Sequence, residues 1–341
     1  MTHDKAVQQQ RDKKLVQYTA SLDRMAELVD FVAVAAAVDK VCPRPDRSSK
    51  GGRPPYPTAL MVRVLFLQAL YNLCDEECEH QLLDRRSFQR FCGLAEELSV
   101  PDARTIWLFR QRLVDSGLGA KAIFEAVQQQ LQAHGYLPRG GQIVDATIVR
   151  APIQHLDKEE KAQVNEGKTP EDWSPKKVRH KDVQARWTKK HSKSFFGYKL
   201  HANVDVRWKL IRRWVVTAAN VDDGRTMPQV TDPGNTAARF YADRGYDHEA
   251  NRRVLAVRGW RDGIARKAAA GRELGPRAQA RNTAINRKRS RVEHVFAQLH
   301  HLGRKVVRSV GLARNELAIA LKCVVYNARR LVWLKANAVP A

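Results

Sequence analysis

A short run of β-branched and apolar residues with one acidic member constrains the fold of this chain most. Residues 142–149 read Gln-Ile-Val-Asp-Ala-Thr-Ile-Val, which predicts a strand with apolar residues on both faces. Such a strand lies inside a sheet that is covered on both sides. Asp145 would then be a buried carboxylate, which is costly unless a cation neutralises it, and a metal ion is the usual partner.

The charge of the chain indicates a polyanionic partner. Its 341 residues carry a formal net charge of +24, and the first 100 residues contribute nothing because their acidic and basic residues are equal in number. The excess of positive charge therefore lies beyond residue 100. Solvated helix faces alone do not explain a bias confined to one region, which favours nucleic acid as the partner. Because no run of about 18 apolar residues occurs, the sequence predicts no transmembrane span and no membrane partner.

The five cysteines are odd in number and irregularly spaced, which is typical of a reduced, cytosolic protein. Cys74, Cys78 and His80 resemble half of a zinc clip, but no second ligand pair follows at the spacing of a zinc finger. We therefore expect the cysteines in the core. The polar N-terminus has no signal-peptide pattern, so we expect a cytoplasmic, nucleoid-associated protein.

The N-terminal part of the chain reads as helices. Residues 1–56 combine a helical segment with a basic linker rich in Pro and Gly, in which Arg53 is a candidate contact to a phosphate backbone. Residues 57–135 form an all-helical block, and Arg104 lies on one of its helices. Short helices joined by tight turns fit either a helix-turn-helix DNA reader or a plain bundle, and the sequence leaves both open.

The pattern changes beyond this block. Strands are followed by helices over residues 136–341, which predicts an α/β domain. A charged, polar insertion occupies about residues 151–193, and a long hairpin follows between residues 195 and 217. A short strand at residues 239–242 ends at Asp243, and basic helices close the chain.

Three acidic residues are candidates for a single site. Asp145 lies in the first strand, Asp243 ends a short strand, where open α/β sheets place functional groups, and Glu293 lies in a late helix. Each has an ordinary alternative role. Asp145 could be a surface residue on an edge strand, Asp243 could cap the next helix, and Glu293 could pair with Arg289 on its helix. Their joint presence in a strongly basic chain favours metal-dependent chemistry on nucleic acid.

Four segments resemble motifs of bacterial insertion-sequence transposases of the DDE type, in the family named for insertion sequence five. These segments are Ile143–Thr147, Phe196–His201, Tyr241–Tyr246 and Arg291–Phe296, in the family's order. The resemblance covers about residues 55–335, because the segments 81–91 and 100–107 are similar to the family's helical region. One departure is Asp222, which aligns where the family commonly has His before the following Asp.

The resemblance implies an RNase H-like catalytic core, a mixed sheet flanked by helices, preceded by an all-helical N-terminal region. It assigns Asp145, Asp243 and Glu293 as catalytic carboxylates that hold two Mg²⁺ ions, with Mn²⁺ as a substitute. Asp222 or Asp223 remains an alternative for the second Asp. The implied activity is DNA transposition, in which a phosphodiester is hydrolysed at each end of the mobile element and the freed 3′-hydroxyl is joined to target DNA.

The expected partner is double-stranded DNA, both as terminal inverted repeats and as target. We expect a homodimer, because two DNA ends must be brought together. The candidate DNA contacts are Arg53, Arg104, Lys199, His201, Arg287, Arg289 and Arg291. Two other interpretations stay open: a nuclease of the same fold that cuts without joining, and a non-catalytic DNA-binding protein descended from a transposase.

Overall fold

The chain divides into two compact units. The computed structural model describes residues 3–45, 54–94, 99–190, 192–303 and 306–339. Backbone contacts group Met1–His134 with Val324–Ala341 in one unit and Gly135–Cys323 in the other. Throughout the described ranges, no helix combines the length and the apolar character that a membrane span requires.

The described part of the first unit is helical. Its helices are α1 (His3–Leu28), α2 (Phe31–Val41), α3 (Thr58–Tyr71), α4 (Asp75–Asp84), α5 (Arg86–Cys92), α6 (Ala103–Asp115) and α7 (Gly119–Ala133). The core forms around α3, which is buried along most of its length. Phe31 meets Phe66 and Phe91 edge-to-face, with ring centroids 4.9 and 5.4 Å apart. Asp102 caps α6 by accepting the backbone N–H of Thr105, as the Pro-Asp start signal predicts.

Four of the five cysteines pack in the core. Cys42, Cys78, Cys92 and Cys323 are buried and Cys74 is exposed, all as free thiols. The Sγ of Cys74 accepts the backbone N–H of Glu77 at the start of α4. The expectation of core cysteines is therefore confirmed for four residues and is wrong for Cys74, which is exposed at the start of α4.

The second unit is built on a mixed six-stranded sheet. Its strands are β1 (Gln142–Arg150), β2 (Arg186–Lys190), β3 (Lys193–Asp205), β4 (Ile211–Ala218), β5 (Arg239–Ala242) and β6 (Arg261–Ile264). The order is β2-β3-β1-β5-β6, and β4 also pairs with β3. The pairs β1–β3, β2–β3 and β3–β4 are antiparallel, whereas β1–β5 and β5–β6 are parallel. The central strand β1 is the apolar strand that the sequence predicts.

The helices of this unit are α8 (Lys158–Asn165), α9 (Pro175–His180), α10 (Asp223–Val230), α11 (Glu249–Val257), α12 (Pro276–His301) and the first part of α13 (Leu312–Ala336), with a one-turn 3-10 helix at Arg244–Tyr246. Of these, α10, α11 and α12 pack against the sheet. Val144 of β1 packs with Met227 and Val230 of α10. Side chains alternate along a strand, so Asp145 points to the opposite face, where α12 packs against β1 and β5.

Two regions differ from the sequence-based expectation. The charged insertion contains α8, α9 and β2. Buried Trp173 donates its indole N–H to Glu160 of α8, and β2 pairs with β3. The second unit ends at Cys323, whereas the sequence places the whole of the last helix in the catalytic region; residues from Val324 onward group with the first unit.

Candidate active site

The register of the parallel strands brings Asp145 and Asp243 together. The last paired residues of β1 and β5 are Val144 and Ala242. Each aspartate follows its paired residue by one position, so Asp145 and Asp243 lie next to each other at the point where β1 and β5 stop pairing. Asp243 is close enough to Asp145 to act on its ionisation.

Asp145 is a buried carboxylate with few donors. Its Oδ2 accepts a hydrogen bond from Nη2 of Arg289 at 2.9 Å, and its Oδ1 accepts the backbone N–H of Ala146 at 2.8 Å. Burial is the largest influence and raises the pKa of Asp145 to about 6; Arg289 opposes the rise and Asp243 adds to it. A single guanidinium therefore does not compensate for the loss of water around this charge.

Asp243 combines a capping role with a position at the site. Its Oδ1 accepts the backbone N–H of Gly245 at 2.8 Å and caps the 3-10 helix, which is the ordinary alternative that the sequence left open. A Cβ at position 245 would lie 2.9 Å from this oxygen, so a larger residue there would shift the carboxylate. The half-buried carboxylate is thus fixed at the end of β5.

Glu293 lies apart from this pair. It is exposed on α12, one helical turn beyond Arg289. The helical pair with Arg289, its ordinary alternative, does not form, because Arg289 binds Asp145 instead. Across the described ranges, no three His, Cys, Asp or Glu side chains are arranged to hold a metal ion. The structure therefore brings together Asp145 and Asp243 but not Glu293.

A second polar network lies on the opposite face of the sheet, under α10. Nζ of Lys199 donates to Asp223 Oδ1 and to the carbonyl of Val221, both at 2.8 Å. The ring nitrogens of His201 meet the hydroxyls of Thr217 at 2.9 Å and Thr226 at 3.0 Å. Burial lowers the pKa of His201 to about 4, so this ring is neutral at neutral pH.

This network changes the interpretation of two predicted DNA contacts. His201 is fully buried and its ring is occupied by threonine hydroxyls, so we no longer propose it as a contact to phosphate. Lys199 neutralises Asp223 within the protein. Asp222 is half-exposed beside the ring of His248, with Oδ1 3.3 Å from Nε2. Neither Asp222 nor Asp223 is among the groups that shift the pKa of Asp145, whereas Asp243 is.

The remaining predicted contacts are basic side chains in different settings. Arg104 on α6 and Arg287 on α12 are exposed. Nη1 of Arg291 donates to the carbonyl of Val206 and Arg289 pairs with Asp145, so both are engaged within the protein. Arg53 lies outside the described residues.

Tyr246 ends the Tyr241–Tyr246 motif and packs with Val144 and Met227 on the face of the sheet that α10 covers. It directly follows Asp243-Arg-Gly and is completely buried. Burial raises its pKa well above the ordinary value, and the charges of Asp145, Asp223 and Asp243 raise it further. The motif alone does not distinguish a core ring from a site residue.

The paired aspartates fit a divalent cation. Carboxylate oxygens are the ligands that Mg²⁺ prefers, and a cation between Asp145 and Asp243 would offset the burial that raises the pKa of Asp145. Nε of Arg289 is buried at this site without a hydrogen-bond partner among the described protein atoms. The site is therefore polar, negatively charged at Asp145 and Asp243, and incompletely satisfied by protein groups.

Two family models match the chain. The model described as Transposase DDE domain matches residues 137–328. The model described as Transposase domain (DUF772) matches residues 9–112. No solved structure shows a significant match to the chain. The first match contains the whole sheet and both paired aspartates.

Proposed function

Since the chain belongs to the DDE transposase family, we propose that it cuts DNA at the ends of a mobile element and joins the freed 3′ ends to target DNA. The observation that carries the proposal is the pair of carboxylates, Asp145 and Asp243, on adjacent parallel strands. The members of the family use divalent metal ions, and Mg²⁺ is the ion that we propose here. The motifs quoted above support membership of the insertion-sequence-five family.

The sheet supports an RNase H-like catalytic core. Three antiparallel strands, β4, β3 and β1, are followed by β5 and β6, which run parallel to β1. In such mixed sheets the groups that carry chemistry lie where the parallel strands end. Asp243 follows β5 directly, and Asp145 lies at the point where β1 stops pairing with β5.

Asp145 and Asp243 would hold the metal, with Glu293 from α12 as the third ligand. When bound, divalent ions activate the attacking water or 3′-hydroxyl and neutralise the charge that develops on the leaving oxygen. Asp243 is the better second aspartate, because Asp223 is neutralised by Lys199 and Asp222 lies beside His248. We retain Asp222 and Asp223 as the alternative to be tested.

The basic residues of the chain would bind and orient DNA. A net charge of +24 attracts the phosphate backbone over long range. Exposed Arg287 lies two residues before Arg289 on α12, so it is available to a phosphate near the carboxylates. Exposed Arg104 supports DNA binding by the helical region at residues 57–135. We propose a homodimer on the two terminal inverted repeats, in the bacterial cytoplasm.

A strand-transfer assay tests this proposal. The full-length chain is incubated with Mg²⁺, DNA that carries the element's terminal inverted repeats, and a target plasmid. We expect Asp145→Ala, Asp243→Ala and Glu293→Ala each to lower cleavage more than about 1000-fold, because each removes a proposed metal ligand, while DNA binding in a gel-shift assay survives.

The outcomes separate the competing interpretations. Joined products support transposition, and cleavage without joining supports a nuclease. DNA binding without cleavage by the unmodified chain supports a non-catalytic protein. If Asp243→Ala still cuts and Asp222→Ala or Asp223→Ala does not, the second carboxylate has been assigned to the wrong residue.

A further inference from the structure

A small cavity lies where the charged insertion meets strand β2. Its volume is about 170 Å³, and its walls come from α8, from the residues just before α8, and from β2 and β3. Trp187 and Phe196 form one wall as a cross-strand pair, with ring centroids 5.4 Å apart. The side chain of Trp187 remains 43% exposed, so much of its indole is open to a ligand.

The cavity also contains an acceptor that the protein does not use. Gln154 lines it, and Oε1 of this side chain is buried without a hydrogen-bond partner among the described protein atoms. The carboxylate of Asp182, another lining residue, is already engaged by four donors of the protein. A buried acceptor without a donor is unfavourable, so the cavity favours a ligand that brings an N–H group.

The surroundings of the cavity are cationic. Residues 183–204 include five Lys or Arg and no Asp or Glu. Exposed Lys189 follows Trp187 by two positions on β2, so the two side chains share a face, and exposed Lys161 lines the cavity from α8. One exposed tryptophan is ordinary on a protein surface, but here an aromatic wall, an unused acceptor and positive charge coincide. Together they match the ring, the N–H groups and the phosphates of a nucleotide.

The cavity and Asp145 share a face of the sheet. Asp145 lies opposite Ala202 of β3, and Phe196 precedes Ala202 by six positions, so its side chain points to the same side. Tyr198, between them, donates its hydroxyl to Asp182 at the cavity, which confirms this direction. Six residues of a strand span about 20 Å, the length of about six nucleotides of duplex DNA. A DNA strand held at Asp145 can therefore reach the cavity.

We propose that this cavity binds an unpaired DNA base, which stacks on Trp187 and donates a hydrogen bond to Oε1 of Gln154, while Lys161 and Lys189 hold the flanking phosphates. Within a duplex both faces of a base are covered by its neighbours and its pairing edge is occupied. Only a base outside the helix offers a free ring face and free N–H groups together. The inference rests on the proposed function in one respect, that DNA is the ligand.

The experiment measures DNA binding by the full-length chain in EDTA, so that no metal chemistry is involved. Fluorescence anisotropy compares two labelled duplexes of the same sequence, one fully paired and one with a single unpaired adenine at its centre. The ratio of their dissociation constants gives the preference for the unpaired base. We expect a preference of about 10-fold for the unmodified chain, almost none for Trp187→Ala, and one about 3-fold smaller for Gln154→Leu.

The chain offers a matched control on α6. Trp107 is 44% exposed, like Trp187, but belongs to the other unit and does not line the cavity. We expect Trp107→Ala to keep the full preference. Trp187→Phe retains a stacking ring and should keep most of it. Because Gln154→Leu removes an unsatisfied acceptor, its melting temperature should equal or exceed that of the unmodified chain, which separates lost binding from lost folding.

The proposal is overturned if Trp187→Ala keeps a preference within about 2-fold of the unmodified chain, or if Trp107→Ala lowers the preference as much. It is also overturned if the unmodified chain binds both duplexes equally well. In each of these cases the chain still binds DNA, so the proposed function stands. If the unmodified chain binds neither duplex, the proposed function fails as well.

Discussion

Two buried aspartates in the same unit, Asp182 and Asp145, differ in how many hydrogen-bond donors the protein provides to their carboxylates. Oδ1 of Asp182 accepts the backbone N–H groups of Gln184 and Ala185, both at 3.0 Å. Its Oδ2 accepts from the hydroxyl of Tyr198 at 2.6 Å and from the N–H of Gly311 at 3.1 Å. Asp145 receives one backbone N–H and one guanidinium.

The difference distinguishes a carboxylate that holds the fold together from one that is kept for a ligand. Four donors from the protein satisfy Asp182, so this residue ties the loop before β2 to β3 and to the start of α13. Asp145 keeps acceptor capacity that the fold does not use, and burial makes its negative charge unfavourable. A cation would relieve Asp145, whereas at Asp182 it would have to displace existing hydrogen bonds.

The largest stability effect is expected from Asp182→Asn. The amide would turn an NH₂ group toward donors that now meet a carboxylate oxygen, leaving the hydroxyl of Tyr198 and the N–H of Gly311 without an acceptor. We expect the free energy of unfolding to fall by about 2–4 kcal/mol in urea denaturation at neutral pH, with unchanged Mg²⁺ affinity. A variant that unfolds at the same urea concentration as the unmodified chain would contradict the structural role of Asp182.

The sequence predicts the elements whose pattern is local. The apolar run predicts β1, the hairpin appears as β3 and β4, and the short strand before Asp243 appears as β5. The ion-pair partner of a side chain such as Arg289 cannot be predicted from a local pattern. Arg289 lies 144 residues from Asp145, and its nearest acidic neighbour on the helix, Glu293, is the partner that helical spacing favours. Only the packing of α12 against β1 decides between them.

The elements that the sequence misses are short and polar. Strand β2 and helices α8 to α11 lack a sustained apolar period, and tertiary contacts stabilise them. Helix α12 begins at Pro276, whereas the sequence predicts a helix only from Asn286. Its first turns contain few apolar residues, so no helical period marks the start. Gln154 was missed for a different reason, since an unsatisfied acceptor is visible only when all its neighbours are placed.

Asp145→Asn is expected to stabilise the metal-free protein at high pH. The pKa of Asp145 is raised in the folded chain from 3.8 to about 6, so folding favours its protonated form. The penalty of the charged form is therefore present above pH 6 and disappears as the pH falls toward 4. We expect the variant in EDTA to be more stable at pH 8 by up to about 3 kcal/mol and equally stable near pH 4, measured by urea denaturation.

Comparing Asp145→Asn with the unmodified chain at each pH cancels the contributions of other titrating groups to the stability difference. The pKa of His201 is lowered to about 4 in the folded protein, so its contribution to stability is lost as the pH falls from 6.5 through 4. That loss is common to both chains and cancels in the difference. A difference that stays constant from pH 4 to pH 8 would mean that Asp145 is not strained by its burial, and its contrast with Asp182 would disappear.

The smallest effect is expected from Arg289→Gln, which tests whether the guanidinium competes with the metal. Nη2 of Arg289 occupies Oδ2 of Asp145, and both side chains are largely buried. Because binding of Mg²⁺ must displace this cation, its removal should strengthen Mg²⁺ affinity about 3-fold, measured from the melting temperature of the full-length chain over a titration with MgCl₂. Arg252→Gln is the control, because Arg252 pairs with Asp247 and Asp262 and its loss should lower stability without changing Mg²⁺ affinity. Weaker binding by Arg289→Gln would instead mean that the guanidinium holds Asp145 ready for the metal, and Asp145 would then resemble Asp182 in depending on a protein donor for its position.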